Sequence, residues 1–267
     1  MRSALKMLAC ATLATAPVAC GRPEAVREST ANAPRIQITP PRIGDSDPHL
    51  WQARAPRDYP VHGIDISRFQ TQVDWPEARA AGVNFAFIKA TEGGDLADPM
   101  FDEHWRGAAR AGVKRGAYHF FYHCRPAAEQ ARWFIAHVPR AAGALPPVLD
   151  IEWTPFSPTC TRRPPAAEVR AEAATFMNLL AAHYGQPPIL YTTVDFFAEN
   201  EMWRLSGNEF WLRSVAGHPA ERYGGQHWTF WQYTGTGLVP GIAGEADVNV
   251  FAGSSAAWAE WLAQRAP

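Results

Sequence analysis

Net charge is nearly absent from this chain: 25 Lys and Arg stand against 26 Asp and Glu, leaving a formal charge of -1. With no basic excess and no long Lys/Arg cluster, there is no surface built for nucleic acid and no general pull toward an anionic membrane. A neutral polymer is the partner this balance favours. Several catalytic signatures are also missing. There is no G-x-S-x-G elbow, no C-x-x-C, no H-E-x-x-H, no Walker loop and no dinucleotide G-x-G-x-x-G. The serine-nucleophile, zinc and nucleotide chemistries that need those spacings fall away. His119 and His123 are close in sequence but lack a third ligand, so neither a metal nor another cofactor is expected. No internal repeat is visible.

Long apolar runs are scarce too, and the one near the start is short. Arg2 and Lys6 precede the apolar stretch Met7 to Ala16, followed by Pro17-Val-Ala-Cys20. That is too short to span a bilayer and has the layout of an export signal over residues 1–20. Cys20 stands where a lipoprotein signal places its lipidated cysteine, although Pro17 replaces the usual leucine, so lipid anchoring through Cys20 and plain cleavage both remain open. Either route implies export, to the periplasm or cell envelope if anchored and otherwise to the medium. Residues 21–58 are rich in Pro and Arg without helical or alternating period, and read as a tether that docks, if anywhere, through Leu50 and Trp51.

What is present begins at Tyr59. The chain is 47% hydrophobic, enough for residues 59–267 to bury the core of one domain. Apolar strand candidates are 61–66, 83–89, 115–121, 147–152, 189–193, 210–214, 228–233 and 247–251. Helix candidates lie at 99–111, 127–137, 165–183 and 196–205, with Pro165 at a start and Gly112 and Gly185 just past ends. Trp105, Trp203, Trp258 and Trp261 are expected as core residues on helices. Strands alternating with helices imply a parallel sheet, and about eight strands imply a closed α/β barrel of TIM type. No long helix separates the last strands, so that side is expected to be irregular or partly antiparallel.

The most informative stretch is Leu145-Pro-Pro-Val-Leu-Asp-Ile-Glu-Trp153. Its apolar run is interrupted by Asp150 and Glu152, which alternation along a strand puts on one side. Close like charges raise at least one pKa, keeping a carboxyl protonated as a general acid; glycoside hydrolysis uses such a pair. At a strand end facing water the same pair would be idle, so the other acids decide. Asp65 and Asp247 fall near strand ends, the second with Asn249 on its face. Lys89, Glu92, Tyr118 and His119 lie where a barrel's carboxyl-terminal mouth would collect them. Trp153, Trp231 and Tyr233 end strands beside the acids and offer aromatic faces to sugar rings.

Together these stretches resemble glycoside hydrolase family 25, the Chalaropsis-type lysozymes that cut peptidoglycan at N-acetylmuramic acid. The pieces are Gly63-Ile-Asp-Ile-Ser67 with Gln70 and Trp75, Phe87-Ile-Lys-Ala-Thr-Glu-Gly93, Gly116-Ala-Tyr-His-Phe120, Pro147-Val-Leu-Asp-Ile-Glu152, Ile189-Leu-Tyr-Thr192, and Trp231-Gln-Tyr through Asp247-Val-Asn249. The resemblance implies a modified, incompletely regular barrel whose groove is lined by Asp65, Asp150, Glu152 and Asp247. Glu152 would be the acid and later the base. Asp150 would stabilise positive charge or orient the substrate's N-acetyl group, leaving open whether a carboxylate or that acetamido group is the nucleophile. Asp65 and Asp247 would hold geometry and charge, with Tyr118 and Tyr191 as lining. Peptidoglycan glycan strands are the implied partner, and a monomer is expected. A binding barrel that does not cut, and a metal-dependent hydrolase, are the competing readings.

Two departures stand out. Phe210-Trp-Leu-Arg-Ser-Val215 replaces the Trp-hydrophobic-Ala-x-Tyr pattern of many relatives, so Arg213 is expected to alter the groove and its substrate preference. Cys124 and Cys160, which typical members lack, each follow a strand by a few residues and are expected to form a disulfide across neighbouring loops.

Overall fold

The computed structural model describes residues 36–52, 54–205 and 207–265. The expected signal over residues 1–20, lipidation at Cys20 and the first part of the tether lie outside them. In chain order the elements are β1 (Gly44–Asp45), β2 (His62–Ile66), α1 (Trp75–Ala80), β3 (Val83–Glu92), β4 (Leu96–Ala97), α2 (Phe101–Arg110), β5 (Lys114–Phe120), α3 (Ala127–His137), β6 (Val148–Asp150), α4 (Ala166–Tyr184), β7 (Ile189–Thr192), α5 (Val194–Glu199), β8 (Glu209–Arg213), α6 (Pro219–Arg222), β9 (Phe230–Leu238), β10 (Glu245–Phe251) and α7 (Ser255–Ala263). Strands β2, β3, β5, β6, β7, β8 and β9 pair in that order, all parallel. β10 then closes the barrel antiparallel to both β9 and β2. The side without intervening long helices is thus the antiparallel one, as the sequence suggests. Among the described residues no helix is long and apolar enough to cross a membrane.

Alternation along the strands divides the core in two. Phe85, Phe87, Val148, Ile189, Trp211, Phe230 and Phe251 form one buried cluster, the barrel interior. Their neighbours Ala86, Ile88, Leu149, Leu190, Leu212, Val248 and Val250 join Phe134, Val169 and Phe176 in the layer between sheet and helices. Each fully buried side chain of this size contributes on the order of 2–3 kcal/mol of transfer free energy. Helix α7 stacks Trp258 on Trp261, centroids 5.4 Å apart. It sets them against Phe85, Phe230 and Phe251, closing the end of the barrel where the strands start. Glycine at position 63 has a steric reason. A Cβ there would lie 2.5 Å from the Phe85 ring and carbonyl, so its absence lets Phe85 fill the space beneath Asp65.

Pro165 caps α4 and Gly185 ends it in the left-handed region at φ 74°, as their places in the sequence suggest. The expected helix over 196–205 breaks instead: α5 stops at Glu199, and Glu201, at φ 49°, starts a separate 3-10 turn over Met202–Arg204. Asn200 bonds back to the Phe196 carbonyl and its own carbonyl accepts from Arg170 at 2.8 Å, which stops the helix there. Trp203 therefore emerges at 47% exposure rather than entering the core.

The second part of the proposed tether is also different. Residues from Ile36 onward belong to the folded unit. Ile36 and Ile38 pack on the interior cluster, Thr39 exchanges hydrogen bonds of 3.0 Å with the Asn84 amide, and β1 pairs with β9. Trp51 packs edge-on to Trp231 at 5.0 Å, whereas Leu50 is 81% exposed. The ladder, the amide exchange and apolar contacts outweigh the polar, proline-rich composition.

Candidate active site

The polar side chains of the barrel interior gather above its apolar layer, at the end where the parallel strands finish. Asp65 comes near the end of β2, Lys89 from β3, Tyr118 from β5, Asp150 from the end of β6 with Glu152 just beyond, and Tyr191 from β7. Arg213 ends β8, and Gln232 lies early in β9. Because β10 runs the other way, Asp247 is near its beginning yet sits directly opposite Asp65. Tyr118 packs on Trp211 below, and Asp150 pairs in register with both Phe120 and Tyr191. The far end of the barrel carries a concavity of about 440 Å³ lined by Trp105, Arg140 and Tyr184, but no acid lines it.

Hydrogen bonds fix the acids from behind. Gln232 Nε2 and Asn249 Nδ2 both donate to Asp65 Oδ2 at 2.8 Å. Tyr191 OH donates to Gln232 Oε1 at 2.9 Å, and Trp211 Nε1 to Asn249 Oδ1 at 2.7 Å. One carboxylate is thus oriented by two amides that are themselves oriented. Glu152 is held through its backbone: buried His123 donates from Nε2 to its carbonyl at 3.2 Å, and the imidazole stacks on Phe196. Burial lowers the His123 pKa, so the ring is neutral. Asp150 Oδ1 is buried with no hydrogen-bond partner among the described residues.

Every acid of the group is pushed toward its protonated form. Burial raises Glu152 to about 7, helped by Asp195 and Asp247 and opposed chiefly by Arg213. Burial likewise raises Asp247 to about 6, again against Arg213. Asp150 lies well above the ordinary range through burial and then the charge of Glu152, with Lys89 opposing. Asp65 is raised by burial and then by Asp247, although its two amide donors pull the other way. Such a set cannot be fully ionised together at neutral pH, and Glu152 sits at the value a neutral-pH acid/base needs.

The four acids, Tyr118 and Tyr191 thus meet as the sequence suggests. Lys89 is turned partly to Glu92, with which it forms an ion pair, and Tyr122 OH donates to the same carboxylate. Trp153 lines the recess beside Glu152, its Nε1 donating to Glu199 at 2.7 Å. Other expectations need correction. His119 is fully buried on the outer face, bonded to Thr91 and Gln130 and stacked on Phe176, so it meets no substrate. Trp231 is fully buried outside the barrel and donates to the Ser214 carbonyl. Tyr233, on the same side, bonds His62 at 3.2 Å. Asn249 is fully buried and serves Asp65, not a ligand. For His119, Trp231 and Tyr233 alternation sends the neighbouring residue, Tyr118 or Gln232, to the interior instead, whereas Asn249 faces inward but is spent on Asp65. Sequence reasoning did not single out Gln232, the His123 prop or Asp195. Gln232 was accessible in principle, being the polar centre of Trp231-Gln-Tyr233.

Cys124 and Cys160 form the anticipated disulfide, Cα atoms 5.7 Å apart, joining the loops after β5 and β6. Among the described residues no group of three or more His, Cys, Asp or Glu is arranged to hold a metal.

The family described as "Glycosyl hydrolases family 25" matches residues 64–242. "Uncharacterized protein YegX" of Escherichia coli K12 is 35% identical over 206 residues, covering 75% of this chain and 73% of that protein. "Lysozyme M1" of Streptomyces globisporus is 35% identical over 207 residues, covering 73% of this chain and 69% of that one. The structure of a family 25 glycosyl hydrolase from Bacillus anthracis superposes with TM-score 0.69 at 32% identity, over 80% of this chain and 98% of that one.

Proposed function

This chain belongs to glycosyl hydrolases family 25, and on that premise we propose that it cleaves the β-1,4 bond between N-acetylmuramic acid and N-acetylglucosamine with Glu152 as acid/base. It is a glycoside hydrolase that acts on peptidoglycan, as the lysozymes among its relatives indicate. The observation that carries the finer reading is the carboxyl of Glu152, buried beside Asp150 and held at a pKa of about 7. Protonated, it donates to the glycosidic oxygen as that bond breaks. Once the leaving sugar has gone, the carboxylate takes a proton from water as water attacks the anomeric carbon.

Asp150 is the partner. Its Oδ1 is shut off from solvent without a partner, an isolation that costs on the order of 1–3 kcal/mol and helps hold the carboxyl high, so the other oxygen, Oδ2, is the one left to meet the substrate's N-acetyl group. When Glu152 carries the proton, the repulsion that raises Asp150 is lifted, and with Lys89 favouring its charged form Asp150 serves as the carboxylate that stabilises positive charge at the anomeric carbon. Asp65 and Asp247 sustain the field and geometry around the pair. Export accompanies this proposal. It is supported by the signal-like residues 1–20 and by the Cys124–Cys160 disulfide, which needs an oxidising compartment; lipid attachment at Cys20 is its anchored form.

Digestion of purified sacculi, with reduction and identification of the new reducing-end sugar, tests the bond. Muramic acid at that end is expected. Glucosamine there would reassign the bond, no cutting would leave a binding barrel, and cutting abolished by chelator would indicate a metal enzyme.

A further inference from the structure

Beside Glu152 the groove opens into a recess of about 340 Å³, whose lining includes Trp153, Asp195 and three arginines, Arg163, Arg213 and Arg222. Three arginines thus line the recess against two acidic residues, Glu152 and Asp195. Asp195 is partly occupied, accepting from Thr193 Oγ1 at 2.8 Å. Arg163 lies over the Trp153 ring at 4.9 Å and 3.8 Å from Glu199. Among the described residues Arg213 and Arg222 form no ion pair, and their guanidinium groups make no hydrogen bond.

Arg213 is the informative one. It is the last residue of β8, half-buried, in register with Gln232 of β9, and its backbone carbonyl is tied by Tyr223 OH at 2.5 Å. A rigidly rooted guanidinium, partly stripped of water and without a partner, is incomplete, because its fork of donors matches a carboxylate held by two parallel bonds. Its charge reaches Glu152 and Asp247, yet it makes no direct bond to either, so its donors remain free for a ligand. The recess lies at the lower end of the usual size for a ligand pocket, so it suits a small charged substituent better than a long chain.

We propose that this recess binds a carboxylate borne by the substrate glycan next to the scissile bond, with Arg213 as the bidentate partner and Arg222 and Arg163 completing the positive field. The proposal rests on the peptidoglycan-hydrolase reading and deepens it. Two parts of the polymer carry that chemistry: the lactyl carboxylate of muramic acid stripped of its peptide, and the free carboxylates of the peptide stem.

The test uses glycan strands with intact stems and strands stripped by an amidase. Each is also prepared with its carboxylates converted to methylamides. Kinetics at pH 5.5 keep Glu152 protonated in both wild type and variants, since loss of Arg213 would itself move that group. Wild type is expected to lose about tenfold in kcat/KM, mainly through KM, when the recognised carboxylate is neutralised. Arg213→Gln should lose a similar factor on the charged strands and become indifferent to neutralisation, with Arg222→Gln, on the exposed rim, doing so in part. Arg213→Lys should restore little, because the fork is lost. Discrimination confined to stripped strands identifies the lactyl group, and discrimination confined to intact strands identifies the stem. The proposal is overturned if wild type treats charged and neutralised strands alike, or if Arg213→Gln discriminates as wild type does. Co-sedimentation of Glu152→Gln protein with the same strands separates this from catalysis. A binding preference for charged strands without cutting by wild type would sink the hydrolase reading and leave the recess standing; cutting without preference would do the reverse.

Discussion

At the scale of the residue, Glu152 concentrates the chemistry in one carboxyl group. Glu152→Gln conserves shape and removes the transferable proton, so cleavage of sacculi should fall about 10²–10⁴-fold with folding intact. A loss below about tenfold would defeat the assignment. The acid must be protonated, so kcat/KM of the wild type should decline as pH rises through about 7. Stability follows the same sign. The folded-state pKa is raised, so the folded protein holds the proton more tightly, and this contribution is fully present below the unfolded value near 4.5 and lost as pH rises through about 7. Glu152→Gln should therefore be the more stable protein at pH 8, by on the order of 2 kcal/mol once groove solvent is allowed for, and equal to wild type at pH 4. Paired thermal melts at the two values check this. Asp65→Asn places an amide against the donors of Gln232 and Asn249, and Asp247→Asn removes the charge facing it. Each should lower activity by about tenfold or more through misplacement; wild-type rates in both would make them structural only.

At the scale of the element, the site depends on loops whose positions are braced. The Cys124–Cys160 bridge spans 36 residues and ties the loop that follows Glu152 to the one carrying His123, the prop of the Glu152 carbonyl. On the chain-entropy model a loop of this length is worth about 4 kcal/mol. The Cys124→Ser, Cys160→Ser double variant should show a lower denaturant midpoint by up to that amount, with kcat falling before the fold is lost. Mass spectrometry of the unreduced protein should find the two peptides linked. An unchanged midpoint together with free thiols in wild type would count against the bridge. Strand β10 matters for another reason: only an antiparallel strand brings a residue from its beginning, Asp247, to the rim reached by the ends of the others.

At the scale of the whole molecule, the barrel is sealed from outside as well as within. The segment from Ile36 adds a short strand to β9 and lays Trp51 on Trp231, the outward neighbour of Gln232. A chain beginning at Tyr59 should be less stable by at least about 2 kcal/mol, reflecting the apolar area re-exposed, which urea unfolding would read. If that chain unfolds at the wild-type midpoint, the segment is only a passenger.

Much of this was legible in local sequence. The spacing of Asp150 and Glu152, the proline and glycine punctuation of α4 and the eightfold strand count are written in short stretches, because backbone alternation and capping act over a few residues. Which face of a strand looks into the barrel is not written there. A strand between a packed interior and a helical layer is apolar on both sides, so Tyr118 against His119, or Gln232 against Trp231, cannot be decided until the sheet curves shut. Closure decided those orientations, buried Asn249 behind Asp65, and left Arg213 facing a recess with no partner of its own.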